Sequence, residues 1–419
     1  MDIQKMSEEM KEHLLKDIVP FWRGLRDEEF GGYYGWLDYE LSLDKKAEKG
    51  CILNSRITWF FSNVYLLYKN GLLSDEDFSK YGYTAEDVRK EAAHGYAFLT
   101  DKCLDKENGG IFWSMTYDGK PADTTKHTYN QAFCIYALAS YYDATGDGSA
   151  MDLAYELFDI IEKKCTDALG YLEARTIDFK PESNEKLSEN GVMADKTMNT
   201  LLHVFEAYTE FVRVTEGVEA FATEHKMVRD RLMWIMDTFA EHVYNPERHR
   251  QEVFFDGEYH SIIDLHSYGH DIETAWLMDR GVKILGEKAY EEKMYPITQD
   301  LTAEIHLIAF DGRSLANECE RGVVNENRIW WVQAETVLGF LNGALATPEH
   351  TEYMEAATET WNFIKEFVMD KREGSEWFWQ VDKDGKPDPE KPIVEPWKCP
   401  YHNGRMCIEV IKRAAGIYV

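Results

Sequence analysis

The sequence is poor in positive charge, in proline and in cysteine, and it lacks a long apolar run. Its 46 Lys and Arg residues face 76 Asp and Glu residues, which gives a formal net charge of −30. Such an excess of anions repels polyphosphates and anionic lipids, so we expect neither nucleic acid nor a membrane as a partner. No apolar run approaches the roughly 18 residues of a membrane-spanning helix. The polar start, residues 1–5, lacks the apolar stretch of a secretory signal.

The seven cysteines are scattered singly through the 419 residues, and no Cys-x-x-Cys pair occurs. An odd, dispersed set is typical of a reduced protein and argues against a disulfide framework or a zinc ribbon. We therefore expect a cytoplasmic protein. The 11 prolines are few for this length, and long helices explain such a shortage because proline breaks a helix interior.

Six segments of one design recur at intervals of about 70 residues, each opening an apolar run with polar and aromatic side chains. They are marked by Arg56, His127, Asn199, His270, Trp331 and His402. A short element rich in glycine and aromatic residues precedes each segment. Amphipathic stretches such as 86–103 and 350–371 lie between them, with apolar residues at helical spacing. The repeating unit is therefore helix, short strand or loop, helix.

Six helical hairpins form either an open solenoid or a closed ring. An open solenoid needs polar capping repeats at its ends, whereas here the first and last repeats carry the same cluster as the others. We therefore predict an all-α fold, an (α/α)6 barrel of six helical hairpins with short β-hairpin or loop insertions. Residues 1–419 are expected to form this barrel as a single domain, with the six clusters meeting at one end.

The clusters predict a pocket for a neutral polyhydroxyl ligand. Tryptophan faces stack on the C–H surfaces of sugars, while histidine, arginine and carboxylate groups satisfy hydroxyls. His270 and Glu273, three residues apart, share a helix face, so we expect the carboxylate to orient the imidazole. Ring closure is expected to bring together Arg56, Tyr129, Asn199, His203, His270, Trp331 and His402.

Each of these residues also has a structural interpretation. A histidine at a helix start is more often a hydrogen-bonding group of the fold than a catalytic one, and most tryptophans belong to the core. His266, His270 and Glu273 suggest a metal site, but no His-Glu-x-x-His motif occurs, and we expect no metal. The sequence also has no glycine-rich phosphate-binding motif, and we expect no cofactor.

Several strings resemble the N-acylglucosamine 2-epimerase superfamily over nearly the whole chain. They are RDEEFGGYYGWLDYELSLDKKAEKG, GKPADTTKHTYNQAF, ENGVMADKTMN, DLHSYGHDIETAWLMDR, RIWWVQAE and EPWKCPYHNGRMC. The motif PWKCPYHNGR is similar to the branch that acts on cellobiose, and not to the N-acylglucosamine or mannose-isomerase branches. The resemblance implies an (α/α)6 barrel that interconverts, without a cofactor, the configuration at C2 of the reducing-end sugar of β-1,4-linked disaccharides.

By motif, the resemblance also implies roles for individual residues. The catalytic group that it implies is Arg56, His203, His270, Glu273 and His402. The substrate-binding group is Tyr129, Asn199, Trp276, Trp331, Glu335 and Trp397.

The chemistry at C2 fits these residue types. Inversion requires ring opening, removal of the proton α to the aldehyde, and its return to the other face of an enediolate. Histidine takes and gives protons near neutral pH. Our hypothesis is that His270, oriented by Glu273, and His402 form the acid–base pair, and that Arg56 and His203 stabilise the oxyanion at O1.

Three other functions stay open from the sequence. They are an aldose–ketose isomerase of the same superfamily, an inverting (α/α)6 glycoside hydrolase, and a non-catalytic barrel that binds sugar or protein. An inverting hydrolase needs two carboxylates about 6.5–9.5 Å apart, whereas these clusters are dominated by histidine, arginine and tryptophan. We expect a monomer whose partner is a small disaccharide.

Overall fold

The structure, a computed structural model, describes residues 1–184 and 191–418. The α-helices of these ranges are α1 Ile3–His13, α2 Val19–Gly24, α3 Cys51–Lys69, α4 Asp75–Ser79, α5 Ala85–Phe98, α6 Thr128–Thr145, α7 Gly148–Lys164, α8 Met198–Thr215, α9 Ala222–Thr238, α10 Tyr268–Leu285, α11 Lys288–Ile308, α12 Trp330–Ala346, α13 Thr351–Phe363 and α14 His402–Ala414. Single π-helical turns follow α1, α5, α9 and α13, at Leu14–Ile18, Leu99–Cys103, Phe239–Val243 and Ile364–Val368. A 3-10 turn spans Glu219–Phe221.

The strands are short and lie between the helices. They are β1 Lys49–Gly50, β2 Ser114–Met115, β3 Pro121–Asp123, β4 Lys126–His127, β5 Ala174–Arg175, β6 Lys196–Thr197, β7 Tyr244–Asn245, β8 Arg250–Gln251, β9 Phe254–Phe255, β10 Leu265–Ser267, β11 Glu318–Glu320, β12 Val323–Asn325, β13 Arg328–Ile329 and β14 Gln380–Val381. All pairs are antiparallel, in the orders β1-β2-β3, β10-β11-β12, β4-β5, β6-β9, β7-β8 and β13-β14. The predicted short β insertions are confirmed.

Twelve of the helices form two concentric rings. The inner helices α3, α6, α8, α10, α12 and α14 contact one another in that order, and α14 contacts α3, so the inner ring closes. The outer helices α5, α7, α9, α11 and α13 each pack on the inner helix that precedes them. The predicted (α/α)6 barrel is therefore confirmed.

The N-terminal helix supplies the outer partner of the last inner helix. Helix α1 packs on α14 and buries Met6 and Met10 completely. Burial of a side chain of this size typically contributes about 1.5–3 kcal/mol. Nε2 of His13 accepts a hydrogen bond from Trp377 Nε1 across 2.8 Å, which ties the end of α1 to the last repeat. The two ends of the chain thus close the ring.

The inner helices are buried on nearly every side because both faces are covered. Their outer face packs on the outer ring and their inner face on the barrel centre. Charged side chains deep in these helices are paired, as Arg280 of α10 is with Glu210 of α8 at 2.6 Å. No helix in the described part of the chain is both long and apolar enough to cross a membrane.

A buried cation two residues before an inner helix anchors the loop in front of it. The pairs are Lys49–Asp27 (2.5 Å), Lys126–Asp105 (2.9 Å), Lys196–Asp167 (2.7 Å) and Arg328–Asp311 (2.5 Å). Each of the four aspartates also accepts backbone N–H groups of its own turn. Because a buried charge is tolerated only when it is paired, these contacts fix where each of four inner helices begins.

Candidate active site

A cavity of about 460 Å³ opens at the end of the barrel where the inner helices begin. Its volume suits a small polar molecule. Nine of the residues predicted from the sequence line it: Arg56, Tyr129, Asn199, His203, His270, Glu273, Trp331, Trp397 and His402. Glu335 and Trp276, predicted to bind substrate, do not line the cavity and are at most 1% exposed. The structure places these two side chains behind its wall.

Glu335 holds one of the pocket histidines. Its Oε1 lies 2.7 Å from Nδ1 of His402, and its Oε2 accepts a hydrogen bond from Trp276 Nε1 at 2.9 Å. An ionised carboxylate only accepts, so the Nδ1 atom of His402 carries a proton and Nε2 is left as the basic nitrogen. Burial, together with the nearby Arg405 guanidinium, holds the pKa of His402 well below its ordinary value. The imidazole is therefore neutral.

Arg405, in the first turn of α14, connects three carboxylates beneath the pocket. Its Nη2 lies 2.5 Å from Glu273 Oε1 and 2.7 Å from Glu335 Oε1, and its Nη1 donates to Glu206. Burial and the neighbouring Glu335 charge raise the pKa of Glu273 to about 8. At neutral pH Glu273 is therefore protonated, and the buried cluster carries one negative charge fewer than its three glutamates suggest.

His203 on α8 is also held by a carboxylate behind its ring, that of Glu206. Its Nδ1 lies 2.9 Å from Oε2 of Glu206, and Glu206 also accepts from the Tyr401 hydroxyl. Burial alone would raise the pKa of Glu206, but Arg405 and the His203 contact lower it to about 2. Burial lowers the pKa of His203. A neutral imidazole thus faces the pocket with an ionised carboxylate behind it.

His270 has a different partner from the one predicted. Its Nδ1 lies 2.7 Å from the Oγ atom of Ser267, whereas Glu273 points to Arg405, so the expected orientation of His270 by Glu273 is wrong. Burial, followed by the neighbouring His203, lowers the pKa of His270 to about 3. The imidazole is neutral at physiological pH.

Trp331 packs against both catalytic candidates. Its ring centroid lies 4.8 Å from that of His270 and 5.5 Å from that of His402. Gly269 makes this approach possible, because a Cβ at that position would lie 2.6 Å from the Trp331 ring. The two imidazoles and the tryptophan therefore form one continuous part of the pocket wall.

Arg56 is the cation that faces the cavity from α3. Its Nη2 donates to the Tyr129 hydroxyl at 2.8 Å and its Nη1 to the Trp397 carbonyl at 3.2 Å. Its guanidinium carbon lies 4.2 Å from the centroid of Phe133, a cation–π distance. The group is always charged and is fixed in place, as a stabiliser of a developing oxyanion must be.

Four buried polar atoms that belong to pocket residues have no hydrogen-bond partner in the described structure: Arg56 Nε, Asn199 Oδ1, Glu273 Oε2 and Trp330 Nε1. An unsatisfied buried polar atom typically costs about 1–3 kcal/mol. These atoms include both donors and an acceptor, and a ligand with several hydroxyl groups can satisfy both kinds.

Among the described residues, one group of side chains at the pocket could hold a metal ion. Ligand atoms of Glu273, Glu335 and His402 lie within 4.8 Å of one another. The Arg405 guanidinium already bonds to both carboxylates, so a positive charge is present between them. His266, considered as a metal ligand from the sequence, instead bonds to Asp271, with Nε2 and Oδ2 2.7 Å apart.

The sequence did not predict the role of Arg405 beneath the pocket, and it did not identify Ser267 or the rim residues. Arg405 is part of the motif PWKCPYHNGR, and Ser267 lies three residues before His270, so both had a signal within the quoted strings. The residues at the rim of the pocket had no recognisable signal in the sequence. They come from irregular loops, from the β11–β12 hairpin and from β14. These rim residues are Asn317, Glu318, Asn325, Asn327, Trp379, Gln380 and Lys391.

Comparison with known proteins identifies the family. The sequence model of the N-acylglucosamine 2-epimerase (GlcNAc 2-epimerase) family matches residues 32–404. The chain belongs to this family. The cellobiose 2-epimerase of Eubacterium cellulosolvens is 48% identical over 414 residues, which cover 97% of this chain and 98% of that protein. The resemblance seen in the sequence is thus confirmed.

Two solved structures are similar over nearly the full length. The crystal structure of a sugar epimerase from a ruminal bacterium has a TM-score of 0.89 and 44% identity, and the match covers 97% of this chain and 99% of that chain. The cellobiose 2-epimerase of Bacillus thermoamylovorans has a TM-score of 0.88 and 38% identity, with 98% and 100% covered. This N-acylglucosamine 2-epimerase family member therefore shares its barrel with sugar epimerases.

Proposed function

We propose that this protein is a cellobiose 2-epimerase, which inverts C2 of the reducing-end glucose of cellobiose and related β-1,4-linked disaccharides. The observation that carries the proposal is the pair of neutral imidazoles, His270 and His402, which both pack against Trp331 in one pocket. Relatives named cellobiose 2-epimerase support the substrate. Acting on lactose, the same chemistry gives epilactose.

In this proposal, one imidazole removes the C2 proton of the open-chain aldose and the other returns a proton to the opposite face. Both groups rest neutral, so the imidazole that returns a proton first takes one up from solvent. The imidazole that removed the C2 proton releases it to solvent afterwards, which restores both to the neutral form. The enediolate between the two steps carries negative charge on O1. Arg56 and His203 supply a cation and an imidazole donor for that oxygen, and loss of one such donor typically costs about 3–4 kcal/mol.

The remaining pocket residues bind the sugar. Asn199 Oδ1 and the protonated Glu273 present an acceptor and a donor to hydroxyl groups. Trp331 and Trp397 supply flat apolar faces for sugar rings. Glu335 and Trp276, which the resemblance implied to be binding residues, act in this scheme by positioning His402.

The carboxylate geometry disfavours the inverting hydrolase. Glu273 and Glu335 present ligand atoms within 4.8 Å of one another, below the roughly 6.5–9.5 Å that an attacking water requires. Both carboxylates also bond to the same nitrogen of Arg405. The aldose–ketose isomerase differs from the epimerase only in where the proton returns, so products distinguish these two.

We further propose that the enzyme is cytoplasmic, monomeric and independent of a cofactor. Seven free cysteines, six of them buried, suit a reducing compartment. The pocket is lined by the inner helices of one chain, so no second copy is needed to complete it. Light scattering of the purified protein tests the monomer, and a mass of two chains or more contradicts it.

Incubation of the purified protein with cellobiose and separation of the products tests the activity. Glucosyl-mannose supports the epimerase, a keto-disaccharide indicates the isomerase, glucose indicates the hydrolase, and unchanged cellobiose contradicts all three. A His402→Ala variant shows that the product comes from this site. His350→Ala is the matched control, because that histidine is exposed on α13's N-terminal side and far from the pocket wall.

A further inference from the structure

Ser267 occupies the position that normally caps a helix, yet its side chain does not cap. It ends β10 and directly precedes α10, and it makes no hydrogen bond to the backbone N–H groups of the first turn. Serine at this position ordinarily makes that bond, which stabilises a helix by about 1 kcal/mol. Thr197 does so at the start of α8, where Thr200 N donates to it across 3.0 Å.

The hydroxyl of Ser267 is instead directed to the pocket. Its Oγ lies 2.7 Å from Nδ1 of His270, and Ser267 is only 7% exposed. Its backbone is held by the antiparallel pairing of β10 with β11, in which Ser267 is opposite Glu318. The oxygen is therefore fixed from both sides, as a group that orients a ring must be.

The partner of His270 differs in kind from those of the other two pocket histidines. His203 and His402 each have a carboxylate at Nδ1, at 2.9 and 2.7 Å. A carboxylate stabilises an imidazolium ion, whereas a hydroxyl fixes the ring without adding charge. The two candidate bases thus differ in their partners, a carboxylate for His402 and a hydroxyl for His270.

We propose that Ser267 is the positioning residue of His270: its hydroxyl, diverted from helix capping, fixes the orientation of the imidazole against the sugar. The roles of the two histidines in catalysis rest on the proposed function, whereas the coupling of Ser267 to His270 does not.

Two substitutions at Ser267 test the kinetic side. In Ser267→Ala we expect kcat to fall by up to about 100-fold, because a misplaced catalytic group has this effect, while KM stays within about twofold. Ser267→Thr keeps a hydroxyl and should restore most of kcat. Wild-type kcat in Ser267→Ala, or no recovery in Ser267→Thr, overturns the proposal.

A capping role predicts the opposite pattern, and Thr84 provides the control. Thr84 caps α5 in an exposed turn, where Asp87 N donates to its Oγ1 across 3.1 Å. Thr84→Ala should lower the melting temperature and keep kcat, whereas Ser267→Ala should lower kcat and keep the melting temperature. A melting-temperature loss in Ser267→Ala equal to that of Thr84→Ala would identify a structural role and contradict the proposal.

Histidine-selective NMR separates this proposal from the function on which it rests. With ¹⁵N-labelled imidazoles, the His270 signals, assigned by their loss in His270→Ala, should shift in Ser267→Ala and return in Ser267→Thr, while those of His402 stay in place. This measurement needs no substrate. If the His270 signals shift as expected but cellobiose is not converted, the proposed epimerase function is wrong and the coupling of Ser267 to His270 is still supported. Unshifted His270 signals in Ser267→Ala contradict the coupling itself.

Discussion

Oε1 of Glu335 lies 2.7 Å from Nδ1 of His402, although the two residues are 67 positions apart in the chain. The carboxylate is fully buried and does not line the cavity, so it acts on the reaction only through the imidazole. This relationship is produced by the packing of α14 on α12, its neighbour in the inner ring.

Replacement of Glu335 by Gln therefore should lower kcat much more than it raises KM. Glutamine still accepts the Nδ1 hydrogen bond, but it no longer stabilises the imidazolium ion, and general acid–base catalysis is typically worth about 10²–10⁴-fold. Steady-state kinetics on cellobiose measure both constants. Glu366→Gln, on an exposed side chain, is the control. An effect on KM alone would mean that Glu335 binds substrate directly.

We expect His270→Ala and His402→Ala each to abolish epimerisation while the protein stays folded, because inversion needs a base on each face of C2. Turnover should fall by at least about 100-fold. Product analysis and circular dichroism of both variants check this. Incubation in D₂O adds a sharper readout, since one remaining base can exchange the C2 proton of one epimer without inverting it. Retention of more than about a tenth of wild-type turnover contradicts the role of that histidine.

The sequence predicted the barrel and nine pocket residues because both depend on periodicity. Repeated clusters in equivalent units come to the same end of a closed ring, so Arg56 and His402 meet without any local contact. The prediction of substrate contact failed for Trp276 and Glu335. Trp276 lies two turns beyond the start of α10, and the Glu335 carboxylate points to His402 and Arg405, so both side chains lie behind the pocket wall.

The partner of His270 could not be read from helical spacing alone. Ser267 and Glu273 are each three residues from His270 in the sequence, on opposite sides of it. In a helix, however, side chains tilt toward the N-terminus, so the His270 ring lies over the preceding turn, where Ser267 is. Glu273 in turn is drawn to Arg405, a partner from another repeat that only the closed ring supplies.

The contact between Gly269 and Trp331 predicts an unusual sensitivity in the first turn of α10. In Gly269→Ala the new Cβ would lie 2.6 Å from the Trp331 ring and 2.7 Å from Val332, so the Trp331 ring must shift from its position against His270. We expect kcat to fall because the reacting sugar loses its position. Gly148→Ala, at the start of α7 with no atom within 4 Å of the added Cβ, is the control. Unchanged kcat in Gly269→Ala would show that Trp331 does not position the sugar.

Activity should not depend on a metal ion. Glu273 and Glu335 are the two carboxylates of the candidate cation site in the described structure. The Arg405 guanidinium already lies 2.5 Å from Glu273 and 2.7 Å from Glu335. Dialysis against EDTA is therefore expected to leave the rate of cellobiose conversion unchanged. Loss of activity that a single added divalent ion restores would contradict this expectation.

The raised pKa of Glu273 predicts how stability depends on pH. Burial and the Glu335 charge raise the pKa of this carboxyl from its ordinary 4.5 to about 8, so the folded protein holds a proton that the unfolded chain releases. The contribution of Glu273 to stability is then complete below about pH 4.5, declines as the pH rises, and is lost once the pH passes about 8. Glu273→Gln cannot ionise and lacks this dependence. The melting temperature of the wild type, minus that of Glu273→Gln at the same pH, should therefore fall between pH 5 and about 8 and stay level above it. A difference that rises over this range would show that Glu273 is ionised in the folded protein at neutral pH, with Arg405 outweighing both burial and Glu335.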